Sequence, residues 1–228
     1  MGRKVKTAPG APPVKRRPTA ESRREELIEA AVIVIGKKGL ANTTLADVAA
    51  QAGVSYGNVT FRFKTKSALL LEALKRVTSE YVEHRRAATN LPGASAAERL
   101  DALVSASFDR KVASKRKIAL WHAFLSECHL LASYRRLFAE LQESEYGMTR
   151  ELCEAILLEE GRSDEDVHLI TLAVSSVIEG LWFNLRLAPS AVNRDEARNA
   201  ARIVLAAMFP RTFGRSASAT VLSRSAAH

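Results

Sequence analysis

The stretch Thr43–Leu70, TTLADVAAQAGVSYGNVTFRFKTKSALL, decides the fold. Thr44 followed three residues later by Asp47 has the spacing of a helix N-cap, and it opens a short helix over Leu45–Ala52. Gly53 supplies a sharp turn in the left-handed region, which a residue without a Cβ adopts at little cost. Ser55 then caps a second short helix from Tyr56 to about Phe61, and Thr65 caps a third, long one that runs to about Ala88. Two short helices joined by a glycine turn and followed by a long helix have the anatomy of a helix-turn-helix module. The spacing puts Val48, Ala49, Val54, Val59 and Phe63 on the inner faces, where they fix the angle between the short helices.

The second short helix keeps its outer face for a partner. Tyr56, Gly57, Thr60, Phe61 and Arg62 fall there, and Gly57 lets backbone approach a groove closely. Arg62 suits a guanine edge, Asn58 an adenine edge, and the Thr60 methyl a thymine methyl. Lys66 and the free amides of the following helix favour a phosphate. Gly53–Gly57 also reads G-V-S-Y-G, the G-x-S-x-G pattern of a hydrolase nucleophile elbow. An elbow needs a buried strand before its serine, and the preceding segment is a capped helix, so Ser55 is read as a cap.

Outward from the module the periodicity stays helical and no alternating strand pattern appears, so the fold class is all-α. A first helix begins at a Thr19 or Ser22 cap, carries Leu27, Ile28, Ala31, Val34 and Ile35 on one face, and closes at Gly39. After Pro92-Gly93 the pattern predicts helices over about 95–113, 115–127, 132–160, 164–187 and 194–208, stopped by Pro210. This organises the chain as a basic arm (1–20), a DNA-binding module (21–66), an effector and dimerisation domain (67–210) and a tail (211–228).

Charge follows the same division. The 228 residues carry a net +9, with six basic groups and no acid in 1–20 and three basic groups and no acid in 211–228. The remainder balances 25 basic against 25 acidic residues. Such an arm, rich in proline, is either a solubilising leader or a counterion-releasing strand for DNA phosphates. The longest apolar runs, Ala30–Ile35 and Ile118–Leu125, are far shorter than a bilayer span, so no membrane partner is expected. Cys128 and Cys153 lack CxxC spacing and read as buried thiols of a reducing, cytoplasmic compartment. His84, His122, His129, His168 and His228 form no metal-binding spacing, and neither a P-loop nor a dinucleotide fingerprint is present. No metal, no cofactor and no catalysis are expected.

In the C-terminal two-thirds, Trp121, Phe124, Tyr134, Trp182 and Phe183 are aromatic, and Glu127 and Glu179 lie near them in sequence. They are either core filling or the lining of a cavity in which aromatic faces and a carboxylate suit a quaternary ammonium ion. Ala173, Ser176 and Gly180 form a small-residue ridge, and Ala197, Ala201, Val204 and Met208 give the last helix a similar one. Paired across a two-fold axis these helices would make an isologous four-helix interface.

Thr43–Ala49, Gly53–Gly57 and Phe63–Leu70 together resemble the TetR family of bacterial transcriptional repressors. The resemblance implies a TetR-like helix-turn-helix domain joined to a helical ligand-binding domain, a homodimer, and a double-stranded pseudopalindromic operator. It places Thr44, Tyr56, Gly57, Thr60, Phe61, Arg62 and Lys66 on DNA-contacting positions, to which the residue chemistry adds Ser55 and Asn58. Many members carry Leu-Tyr-x-His-Phe where this chain has Val59-Thr60-Phe61-Arg62-Phe63, which implies a different operator with Arg62 as direct reader. Trp121–Phe124, Tyr134–Leu137 and Ile178–Trp182 look like the BetI branch, whose members repress choline-to-glycine-betaine genes. That branch implies a choline-like small-molecule effector. Open alternatives are a different hydrophobic effector at an efflux or catabolic operon, and a helical ligand-binding adaptor without a DNA role.

Overall fold

The computed structural model describes residues 19–127 and 132–214, apart from the side chain of Glu127. The arm up to residue 18, the tail from residue 215, Cys128, His129 and His228 lie outside the described residues. Among the described residues nine principal helices follow in order: α1 (Ala20–Lys38), α2 (Leu45–Ala52), α3 (Tyr56–Arg62), α4 (Lys66–Thr89), α5 (Ala96–Ala106), α6 (Lys115–Glu127), α7 (Ala132–Glu159), α8 (Val167–Leu187) and α9 (Arg194–Met208). No strand occurs among the described residues.

Caps set most of these boundaries. Thr19, Thr44, Ser55 and Thr65 each accept a backbone amide two or three residues into the helix that follows, so α1 to α4 start where the sequence places them. Gly53 adopts φ 65° and ψ 33°, the left-handed turn between α2 and α3. Two expected helices are shorter. The segment from 95 stops at Ala106, because the Ser107 carbonyl accepts the Trp182 indole at 2.8 Å and the Ala113 carbonyl accepts Arg194 at 2.8 Å. Those two bonds from α8 and α9 hold residues 107–114 as a turn instead of a helical extension, with Ser107, Phe108, Val112 and Ala113 buried and Arg110 and Lys111 exposed. The segment from 164 begins at Val167, because Asp166 turns its carboxylate onto the amides of His168 and Leu169.

Two cores hold the chain. The first joins α1, α2, α3 and the first half of α4 with Leu120 and Phe124 of α6 and Tyr134 of α7. The second lies among α5 to α9, with Trp121 packed against both. Residue 66 is thus no gap in the packing. It is the first residue of α4, a helix whose N-terminal half packs in the first core and whose Tyr81 packs against the second. A second seam lies where α1 crosses α6: a Cβ at Gly36 would sit 2.9 Å from Cγ and 3.0 Å from Cβ of Arg116.

The absence of a long apolar run does not carry over to composition. α8, at 21 residues, is long and apolar enough to cross a membrane by those two measures. Its apolar residues divide between two faces. Ile170, Val174, Ile178 and Trp182 are buried in the second core, whereas Leu169, Leu172, Phe183 and Leu187 are exposed.

Candidate nucleic-acid interface and effector cavity

The interface is built from the caps upward. The Thr44 hydroxyl accepts the Asp47 amide at 3.1 Å while the Asp47 carboxylate accepts the Thr44 amide at 3.0 Å, which closes the capping box of α2. Lys38 pairs with the same carboxylate, and its ammonium, with the Thr44 hydroxyl and amide, holds Asp47 down to about 2. Behind the turn Val48, Ala49, Val59 and Phe63 are buried, so α3 stands at a fixed angle with its outer face free. Tyr56 is 57% and Phe61 75% exposed there, with Gly57 and Asn58 also exposed. The outer face of α3 thus presents two uncovered aromatic rings.

Cations surround that face. Arg62 lies 6.0 Å and Lys64 5.9 Å from the Phe61 ring centroid. Arg62 also donates to the Asn58 side-chain oxygen at 3.2 Å, and Asn58 donates to the Ser55 hydroxyl at 3.2 Å, so Ser55, Asn58 and Arg62 form one hydrogen-bonded row along α3. The Thr60 hydroxyl is turned onto the carbonyls of Tyr56 and Gly57, leaving its methyl as its contribution to any base contact. Lys66, expected at a phosphate, donates its ammonium to the Ala41 carbonyl at 2.7 Å, tying the start of α4 to the α1–α2 connection.

The second site is a cavity of about 90 Å³ between α4, α6, α7 and α8, several times the roughly 10–15 Å³ that holds one water. Tyr81, Trp121, Phe138, Tyr146 and Trp182 line it, with Glu145, Glu179 and Arg85 as its charged groups. Trp182 spends its indole N–H on Ser107, and the Tyr81 ring meets it edge-on at 5.2 Å, which leaves a fixed aromatic corner. Trp121 stacks near Phe138 at 6.2 Å on the opposite wall. The Tyr146 hydroxyl donates to the His168 carbonyl at 2.6 Å, binding α7 to the first turn of α8 at the rim. Desolvation by the neighbouring cavity wall raises the Glu179 carboxyl above its ordinary range, although the residue as a whole is exposed.

Of the seven residues expected around an effector, Trp121, Glu179 and Trp182 meet at this cavity. Phe124 and Tyr134 do not. They are fully buried in the first core, 5.4 Å apart, because α6 and α7 close over α1 and α4 there. Phe183 faces outward, 53% exposed and 5.6 Å from His122, one residue round the helix from the cavity-lining Trp182. The Glu127 side chain lies outside the described residues. Tyr81, Arg85, Phe138, Glu145 and Tyr146 escaped the sequence reading. The available signal was Arg85, which falls on the buried stripe of α4 eight residues after Val77, a place where a charge needs a partner.

The small-residue ridges also divide. Ser176 and Gly180 are exposed and Ala173 is half-buried on the outer side of α8, next to Leu172 and Phe183. Ala197 and Ala201 are 0% and 3% exposed, because their stripe, continued by Leu205, packs into the chain's own second core. They are intrachain contacts and not an outer ridge. Val204 and Met208 are half-buried, and the large apolar residue that α9 exposes is Ile203. Cys153 is buried and its thiol is pushed up to about 11 by that burial.

A helix-turn-helix with an open recognition face, joined by one continuous helix to a domain with an aromatic cavity, defines a DNA-binding regulator with a built-in small-molecule site. Comparison with known proteins makes the class specific. Residues 27–73 match the bacterial regulatory proteins of the tetR family, and residues 96–210 match the C-terminal domain of BetI-type transcriptional repressors. The HTH-type transcriptional regulator BetI of Klebsiella pneumoniae (strain 342) is 31% identical over 189 residues, covering 78% of this chain and 89% of that protein. The BetI regulator of Escherichia coli (strain K12) is 30% identical over 187 residues, covering 79% and 90%. The chain belongs to the TetR family and is a transcriptional repressor of BetI type.

Solved structures agree on the fold. One described as a transcriptional regulator from Pseudomonas aeruginosa PAO1 superposes with a TM-score of 0.77 at 23% identity, covering 89% of this chain and 98% of that one. One from Saccharomonospora viridis, described as a transcriptional regulator in complex with choline, has a TM-score of 0.70 at 21% identity, covering 79% and 94%.

Proposed function

We propose that this repressor binds a pseudopalindromic operator as a homodimer and is released from it by a choline-like cation held in the cavity between α4, α6, α7 and α8. The observation that carries the reading is the cavity's chemistry: five aromatic side chains around two carboxylates. Such walls attract a quaternary ammonium ion through ring faces, at about 0.5–2 kcal/mol per desolvated contact, and through charge. The S. viridis regulator with bound choline gives the same direction.

The recognition set is Thr44, Ser55, Tyr56, Gly57, Asn58, Thr60, Phe61 and Arg62, with Arg62 reading a base edge and Lys66 acting through the α1–α2 connection as well as through phosphate. The divisions remain 21–66 for the DNA module and 67–210 for the effector domain, joined within α4. Two such modules on one dimer would meet half-sites about 34–36 Å apart. The outer faces of α8 and α9, with Leu172, Ser176, Gly180, Phe183 and Ile203, are the dimer surface in this reading, and their exposed apolar side chains are its support. The protein acts in the cytoplasm, where both operator and cation are found, and does no chemistry on either.

Coupling runs through α4. Lys66 at its start is about 28 Å along the helix from Arg85, which borders the cavity, so a tilt forced at one end moves the other. α6 offers a parallel route, since Trp121 lines the cavity and Arg116 rests on α1. Moving the dimer from nearly all competent to nearly all incompetent takes about 5.5 kcal/mol of differential affinity.

The test is fluorescence anisotropy of a labelled duplex from the intergenic region beside the gene, against unlabelled nonspecific DNA, with and without choline. The expected result is competitor-resistant binding that choline releases. Binding unmoved by choline would overturn the effector, and the absence of specific binding to this duplex and to operators selected from random sequence would overturn the DNA role.

A further inference from the structure

Three charged side chains border the cavity among the described residues, and one of them is a cation that belongs to the protein. Arg85 is 3% exposed and its guanidinium lies 5.1 Å from the Tyr81 ring centroid while pairing with Glu145. Ring face and carboxylate are the two attractions a cationic ligand would use in this cavity, and Arg85 already takes them. A guanidinium keeps its charge even where burial works against it, as it does here. It also donates to the Thr149 hydroxyl at 3.4 Å. Arg85 and Glu145 therefore form a charge pair beside the cavity.

The count of charges then has a consequence. Arg85 cancels Glu145, and Glu179 is left uncompensated at the rim, so the ionised cavity carries a net charge of −1. We propose that Arg85 is the specificity-determining residue that restricts the effector to monocations, by standing as a tethered cation on Glu145 and leaving one carboxylate for the ligand. A ligand of charge +1 makes the occupied cavity neutral. A dication of the same shape leaves an unmatched positive charge beside Arg85, and a zwitterion or a neutral isostere leaves Glu179 without a counter-charge. The mismatch beside Arg85 costs most, because that side chain is buried and little screened by solvent, while the one at Glu179 is smaller because that residue is exposed. The inference rests on the reading of the cavity as a cation site and adds the charge that the cation must have.

Four probes of one shape test it: choline (+1), trimethylammonioethylamine in its dicationic form (+2), glycine betaine (zwitterionic) and 3,3-dimethylbutanol (neutral). The readout on the full chain is the fluorescence of its two tryptophans, Trp121 and Trp182, which both line the cavity. Wild type is expected to bind choline at least about tenfold more tightly than the other three. Arg85→Met makes the cavity −2 and is expected to bring the dication ahead of choline. Glu145→Gln makes it neutral and should remove the preference for choline over the neutral isostere. The double variant Arg85→Met/Glu145→Gln restores −1 and the monocation preference, and it contains no unpaired buried charge that would endanger folding. A probe order that ignores residues 85 and 145 in folded variants overturns the proposal. If Arg85→Met does not fold, Glu145→Gln and the double variant decide by the same rule. Wild type that binds none of the four refutes the cation-site reading and this inference together, whereas choline binding with an unaltered probe order refutes this inference alone.

Discussion

Gly36→Ala isolates the seam between the DNA module and the effector domain in one number. Gly36 lies inside α1, where alanine in place of glycine favours the helix by about 0.5–1 kcal/mol. Against that, the added Cβ would sit 2.9 Å from Cγ, 3.0 Å from Cβ and 3.3 Å from Cα of Arg116. The far end of an arginine swings aside easily, but its Cβ and Cα move only with the backbone of α6. The two helices must therefore separate by a few tenths of an ångström, an overpacking cost of about 1–3 kcal/mol. The net expectation is a loss of about 0–2 kcal/mol. Gly147→Ala is the control, since Gly147 is also inside a helix and a Cβ there meets nothing within 4 Å, so only the helix gain of about 0.5–1 kcal/mol applies. Thermal unfolding followed by circular dichroism reads both, at about 2–4 °C per kcal/mol for a chain of this size. Gly147→Ala should melt higher than wild type and Gly36→Ala at the same temperature or lower. Equal rises for the two would refute the close approach of α1 and α6, and with it the second route from cavity to DNA.

Arg62→Ala is expected to lose roughly 1–3 kcal/mol of operator affinity at one base pair, read by competition among operators mutated singly; equal loss on every sequence would remove Arg62 as a reader. Cation affinity should fall on acidification at a higher pH than an ordinary glutamate would dictate. The raised Glu179 carboxyl becomes neutral early as pH drops while Arg85 stays charged, and Glu179→Gln should abolish both the affinity and its pH dependence in tryptophan-fluorescence titrations. Asp47, whose folded pKa is depressed to about 2, contributes stability that is present above its unfolded value of about 4 and is lost as pH falls from there towards 2. Asp47→Asn should therefore flatten the dependence of denaturant midpoint on pH in that window, and an unchanged slope would count against the Lys38 and Thr44 contacts.

The DNA module was legible because its signals are local. Thr44 with Asp47, Gly53, Ser55 and Thr65 each act within four residues of themselves, so spacing alone located α2, α3 and the start of α4. The cavity was legible in part because it depends on how four helices meet. Trp182 and Phe183 are neighbours in sequence, yet a step of one residue rotates a helix by about 100°, which puts one ring in the cavity wall and the other in solvent. Phe124 and Tyr134 look as suitable for a ligand as Trp121 does, and only the closure of α6 and α7 over α1 assigns them to the core. Lys66 shows the same limit from the polar side, since its partner at Ala41 is 25 residues away in the chain.

α8 brings these threads to one helix. Its inner face supplies Ser175, Ile178, Glu179 and Trp182 to the cavity, and its outer face exposes Leu169, Leu172, Phe183 and Leu187. A helix apolar on both sides passes a composition test for a membrane span, but Glu179 and Arg186 stand within two turns of each other on it, and the two apolar faces have separate work. In the proposed dimer, effector pocket and subunit interface are then opposite sides of a single helix about 10–12 Å across. Leu172→Lys should accordingly break the dimer without touching a cavity residue. Sedimentation would show a chain of half the mass, operator affinity would drop with the loss of the second half-site, and choline would still quench the tryptophans. A dimer that survives Leu172→Lys would move the interface off α8, and choline binding lost with the dimer would show that the pocket needs its neighbour to hold its shape.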